Sequence, residues 1–143
     1  MKVLVSWKRI TEQVDLTDLE KHASVEYLTD PRDEDELLEK IRDAEVFIGF
    51  AASEKILEAA DTLKMIQTPA VGFELIAVDA ATKKGVLVCN TVGSNAESVA
   101  ELAWGLILGL VRQIPGADRL MREGKWEISL QRSIHLCGGR RLA

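Results

Sequence analysis

The sequence predicts an α/β fold: a flavodoxin-like five-stranded parallel sheet with helices on both faces, followed by one long apolar helix. Three observations carry this. Five short apolar runs each precede a stretch of helical periodicity or a turn. The fifth run, Val86-Leu87-Val88-Cys89, is apolar throughout, as a strand covered on both faces should be. After it the pattern changes to a single long stripe at helical spacing. Parallel strands require crossover connections, and these turn right-handed almost without exception, so an open parallel sheet with helices on both faces is expected, for which we choose the flavodoxin-like order 2-1-3-4-5.

The first strand is Lys2-Val3-Leu4-Val5-Ser6, and a helix follows from Leu16 to Ala23, with Asp15 or Thr17 as its cap. Val25 to Leu28 is the second strand. Asp33 to Ile41 is the second helix, placing Leu37, Leu38 and Ile41 on one face. Val46 to Gly49 and Ser53 to Ala60 form the third pair, then Leu63 to Ile66 and the helix Val78 to Lys84, where Gly85 supplies a left-handed end. Ser94 or Asn95 can cap the long helix, whose stripe runs Val99, Leu102, Ala103, Leu106, Ile107, Leu110, Val111. Burying each large aliphatic side chain is worth on the order of 1.5–3 kcal/mol, so this stripe needs a partner surface. Pro115-Gly116 reads as a break before a second helical stretch, Ala117 to Arg122, which stops at Gly124.

The chain has 143 residues, enough to bury a core without disulfides or metals, and its formal net charge is −5. That balance argues against nucleic acid or an anionic membrane as the main partner. The longest apolar stretch, Leu102 to Val111, is far short of the roughly 20 residues a membrane span needs. Cys89 and Cys137 lie far apart, and with His22 and His135 they show no metal-ligand spacing. The N-terminus enters a strand without a signal-peptide pattern, so a cytoplasmic protein is expected.

The segment Leu63 to Trp126 carries a motif series. Ala70-Val71-Gly72-Phe73-Glu74 is followed by Ala80-Ala81, Gly85-Val86-Leu87-Val88-Cys89-Asn90, Val99-Ala100-Glu101 and Gly124-Lys125-Trp126. This order resembles the D-isomer-specific 2-hydroxyacid dehydrogenases, in phosphoglycerate-dehydrogenase-like form. The resemblance implies a substrate domain at 1–92, an interdomain helix and dimerisation arm at 93–132, and an irregular tail at 133–143. It implies a family reaction of hydride transfer between NAD and a 2-hydroxy or 2-oxo acid. It also implies that Val71 and Gly72 present backbone N–H groups to a small carboxylate substrate, where a glycine lets an anion come close. Asn90 and Asn95 match the loop that faces the nicotinamide in such enzymes, although a helix cap is the stronger reading of Asn95. Glu101, one turn into its helix, reads as a surface or capping residue. The sequence departs from the family in having Glu74 for the usual Asp, Val92 for a frequent Pro, and Pro69 and Phe73 as neighbours.

The cofactor loop Gly-x-Gly-x-x-Gly does not occur in the sequence, and the family's catalytic Arg, Glu and His have no counterparts here. The expectation is a truncated member with little or no activity of its own and no bound NAD. Its tail, Leu136-Cys137-Gly138-Gly139-Arg140-Arg141-Leu142-Ala143, is what a duplicated CT would make of a coding stretch for the family's Leu-x-Gly-Lys-x-x-Gly-Ile, so a shifted reading frame is expected there. The resemblance further implies a homodimer through Ser98 to Trp126, in which Gly105 and Gly109 allow close backbone approach. The competing reading is a non-enzymatic module that binds a small carboxylate or dimerises. An unrelated response-regulator-like domain would need an acidic pocket or phosphate loop after the first strand, and Ser6-Trp7-Lys8-Arg9 offers neither.

Overall fold

The strands fall where the apolar runs stand: β1 Lys2–Val5, β2 Ser24–Tyr27, β3 Val46–Ile48, β4 Met65–Gln67 and β5 Leu87–Cys89. Between them lie α1 Thr17–Glu20, α2 Glu34–Lys40, α3 Glu54–Ala59 and α4 Val78–Lys84, and α5 Ala96–Val111 and α6 Ile114–Arg122 follow. These come from a computed structural model that describes residues 1–7 and 16–126. Asp15 and the tail 133–143, with its expected frameshift, lie outside the described residues.

All five strands pair in parallel in the order β2-β1-β3-β4-β5, as expected. Right-handed connections place α2, α3 and α4 on one face and α1 on the other. The first face is the core. Leu4, Phe47 and Ile66, aligned across the sheet, pack with Leu37, Ile41, Ile56, Leu57, Ile76 and Ala81 from the helices. Local signals set the helix ends. Asp33 accepts a hydrogen bond from Glu36 N (3.0 Å) and Ser53 from Ile56 N (3.4 Å), and Gly85 ends α4 at φ 74°.

Four details differ from the sequence reading. Helix α1 is a single turn rather than Leu16 to Ala23, and Thr17 lies inside it; its N-cap is Leu16, whose side chain has no oxygen to accept. Strand β4 begins at Met65 because Leu63 is spent on the core as the chain leaves α3. Strand β5 is covered on one face only among the described residues: Val88 packs on the core while Leu87 is 67% exposed. Finally, Pro115-Gly116 is no break. The chain turns at Gln113, in the left-handed region at φ 53°, and Pro115 sits in the first turn of α6, where its missing N–H costs nothing.

The chain divides into two compact units, Met1–Ser94 and Asn95–Ala143. In the second, none of the α5 residues is buried, and Leu102, Leu106 and Leu110 are 64, 66 and 79% exposed. Asn95 occupies the N-cap position of α5 but makes no side-chain capping bond. Among the described residues no helix is long and apolar enough to cross a membrane.

One charged cluster ties α2 to the edge of the sheet. Lys2 Nζ lies 2.8 Å from Glu26 and 2.7 Å from Asp43, and Lys40 Nζ lies 3.1 Å from Glu26 and 2.9 Å from Glu36. Glu36 also accepts from Thr29 N and Oγ1 (2.9 and 3.0 Å). The Lys40 ammonium, followed by the Thr29 amide, holds the Glu36 carboxyl down at about 2.

Candidate functional site

The carboxyl ends of parallel strands are where α/β sheets place ligands, because the strand-to-helix loops converge there. Here the ladder runs one residue beyond the strands: Ser6 N donates to Ile48 O, Gly49 N to Gln67 O and Thr68 N to Cys89 O. Ser6, Gly49, Thr68 and Asn90 therefore form one row on the core face, two residues beyond Leu4, Phe47, Ile66 and Val88. A glycine is required in that row. A Cβ at residue 49 would lie 2.3 Å from Phe47 Cζ, so the ring of Phe47 fills the space. The hydroxyls of Ser6 and Thr68 are buried there without hydrogen-bond partners among the described residues.

The loop after β4, residues 68–77, holds Val71 and Gly72, both exposed. It is braced from the loop after β5. Asn90 Nδ2 donates to Val71 O (2.8 Å), Thr91 N to Ala70 O (3.0 Å) and Thr91 Oγ1 to Thr68 O (2.9 Å). From the other side Ala52 N donates to Leu75 O (3.1 Å), and Ala77 N to Ala52 O (2.9 Å). Among the described residues the N–H groups of Val71 and Gly72 have no acceptor. Such a pair on a braced loop can take a carboxylate oxygen without reorganising the backbone. A Cβ on Gly72 would come within 2.5 Å of Glu74 Oε2, so the Glu74 carboxylate already stands in the space the glycine leaves.

The four residues singled out in the sequence are thus unequally placed. Val71, Gly72 and Asn90 are brought together, with the Asn90 amide committed to the Val71 carbonyl. Asn95 begins the second unit. Neither asparagine stands on a glycine-rich strand-to-helix turn of the kind that holds a dinucleotide's phosphates, and the Asn90 amide is engaged as a brace. Among the described residues no cluster of His, Cys, Asp or Glu could hold a metal ion. Sequence reasoning missed Thr91, which makes three hydrogen bonds to the loop after β4, and it missed an aromatic rim. Trp7, Phe50 and Phe73 follow β1, β3 and β4 and are 39, 40 and 48% exposed, with the Trp7 and Phe50 ring centroids 6.5 Å apart. Large aromatics just past two apolar runs, Trp7 and Phe50, were the available signal.

Comparison with known proteins converges. The family described as D-isomer specific 2-hydroxyacid dehydrogenase, catalytic domain, matches residues 3–135. The D-3-phosphoglycerate dehydrogenase of Methanocaldococcus jannaschii is 40% identical over 123 residues, covering 84% of this chain and 23% of that protein. The glyoxylate reductase of Korarchaeum cryptofilum is 31% identical over 134 residues, covering 90% of this chain and 40% of its own length. The crystal structure of the NAD-dependent formate dehydrogenase of Staphylococcus aureus, in complex with NAD, superposes with a TM-score of 0.71 at 25% identity, covering 91% of this chain and 44% of that one. The chain therefore spans well under half the length of each of these proteins.

Proposed function

The chain belongs to the D-isomer-specific 2-hydroxyacid dehydrogenase family, and from that premise we propose that residues 1–94 supply the carboxylate-binding part of a site for a 2-hydroxy or 2-oxo acid. The observation that carries this is the pair of free N–H groups at Val71 and Gly72, held on a loop that Asn90 and Thr91 brace from behind. Their role is to bind and orient the carboxylate; positioned amides do this because their dipoles are fixed before the ligand arrives. Hydride exchange with NAD, the reaction of the family, belongs to the whole enzyme, since these 143 residues contain no Gly-x-Gly-x-x-Gly turn. The cytoplasm, where Cys89 stays a free thiol, is the compartment that fits.

Titration of the labelled chain with pyruvate, followed by backbone amide NMR, tests the reading. The Val71 and Gly72 amides are expected to shift most, with an affinity in the millimolar range (about −4 kcal/mol). Gly72→Ala should abolish the shifts. Glu74→Gln should strengthen binding by removing a like charge. Shifts confined to other loops, or NADH oxidation by the chain alone, would overturn it.

A second reading, self-association through Ser98 to Trp126, is favoured by the exposed stripe of α5. Among the described residues Gly105 and Gly109 meet nothing within 4 Å of an added Cβ, which leaves room for another backbone. Sedimentation should show a dimer that Leu106→Glu converts to monomer. A wild-type monomer at high micromolar concentration would refute it.

A further inference from the structure

The loops around the carboxylate pair differ in chemistry from what a phosphorylated acid would need. From Gly49 to Glu54, from Met65 to Thr82 and from Gly85 to Val111 the sequence contains no Lys or Arg. The loops after β3, β4 and β5 therefore offer no cation to a phosphate, whose recognition depends on charge-assisted hydrogen bonds. The charge that is present has the opposite sign, since the Glu74 carboxylate stands over Gly72. Among the described residues, the guanidinium at this end of the sheet without an ion pair is Arg32. It stands on the loop after β2 between Pro31 and the carboxylates of Asp33 and Glu34, and lines with them a recess beside Phe50 in which the two acidic groups outnumber it.

The same loops present apolar rings instead. Phe50 leads the chain from β3 into Ala52, which is hydrogen-bonded to Leu75 and Ala77 on the carboxylate loop. Phe73 directly follows Gly72, and Trp7 pairs with Phe50 at an interplanar angle of 59°. Beside Phe50 a recess of about 200 Å³ opens, with Leu37, Phe47 and Ile56 in its wall, Arg32, Asp33 and Glu34 also lining it, and a Ser6 hydroxyl that has no hydrogen-bond partner among the described residues. Half-exposed aromatics next to a polar anchor gain most from a ligand that covers them.

We propose that the acid this site accepts carries a bulky, uncharged, apolar side chain, and that Phe50, with Trp7 and Phe73, determines that preference. This rests on the reading of Val71 and Gly72 as the carboxylate pair. The test compares four probes by amide NMR on the same chain: 4-methyl-2-oxopentanoate, phenylpyruvate, glyoxylate and 3-phosphohydroxypyruvate. The two apolar acids are expected to bind about tenfold or more tightly than the other two, the scale of discrimination that a few methylenes give in an apolar pocket. Phe50→Ala should remove most of that difference by weakening the two apolar acids. If all four acids shift Val71 and Gly72 with equal affinity, or the phosphorylated acid binds best, the side-chain inference is wrong and the carboxylate reading stands. If no acid moves those two amides, the carboxylate reading fails and the inference falls with it.

Discussion

Helices α2 and α5 make an instructive pair. Helix α2 reads Glu-Asp-Glu-Leu-Leu-Glu-Lys, mostly charged, yet Leu37 is buried, Leu38 packs on the core and its N-terminus is capped by Asp33. Helix α5 is far more apolar and has no buried residue and no side-chain cap. Apolarity thus states what a helix requires, whereas burial depends on what the topology sets against it. In the first unit the crossover connections bring α2, α3 and α4 onto one sheet face, and every buried hydrophobic side chain among the described residues lies between Val3 and Val86.

That contrast can be broken by substitution. Phe47→Ala, which empties the space beside Gly49, should cost about 3–5 kcal/mol, measured by urea unfolding of the first unit. Leu102→Ala in α5 should cost about 0.5 kcal/mol or less in the monomer. A large loss at Leu102 in monomeric protein would mean that α5 is covered after all.

Acid sharpens the contrast from another side. The Glu36 carboxyl is held at about 2, below its ordinary 4.5, by Lys40 first and the Thr29 amide second. A depressed folded value adds stability that is complete above pH 4.5 and lost as pH falls toward 2. Glu36→Gln should therefore flatten the acid limb of the first unit's unfolding curve between those values. Thermal melts at stepped pH would show it, and an unchanged slope would remove Glu36 from the account.

The smallest effect concerns caps. Asp33→Ala should cost about 1 kcal/mol, because a bonded N-cap is lost. Asn95→Ala should cost almost nothing, since Asn95 makes no capping bond. Equal losses would show that Asn95 does cap α5 in solution.

The apolar runs that become strands, the helix starts at Asp33 and Ser53, the left-handed end at Gly85 and the strand order were legible in the residues. So was the family, through the motif series from Ala70 to Trp126. Most of these are local signals, fixed by side-chain period or by hydrogen bonds within about four residues, and the handedness rule narrows the strand orders to a few. The site was legible only in part. Val71, Gly72 and Asn90 were named from the resemblance, but Asn90 meets the Val71 carbonyl across 19 residues. The row of Ser6, Gly49, Thr68 and Asn90, the Glu74 carboxylate over Gly72 and the Trp7–Phe50 pair likewise join residues from separate loops or depend on side-chain placement. Only the tertiary structure decided them, because the register between strands aligns positions that no periodicity along the chain relates.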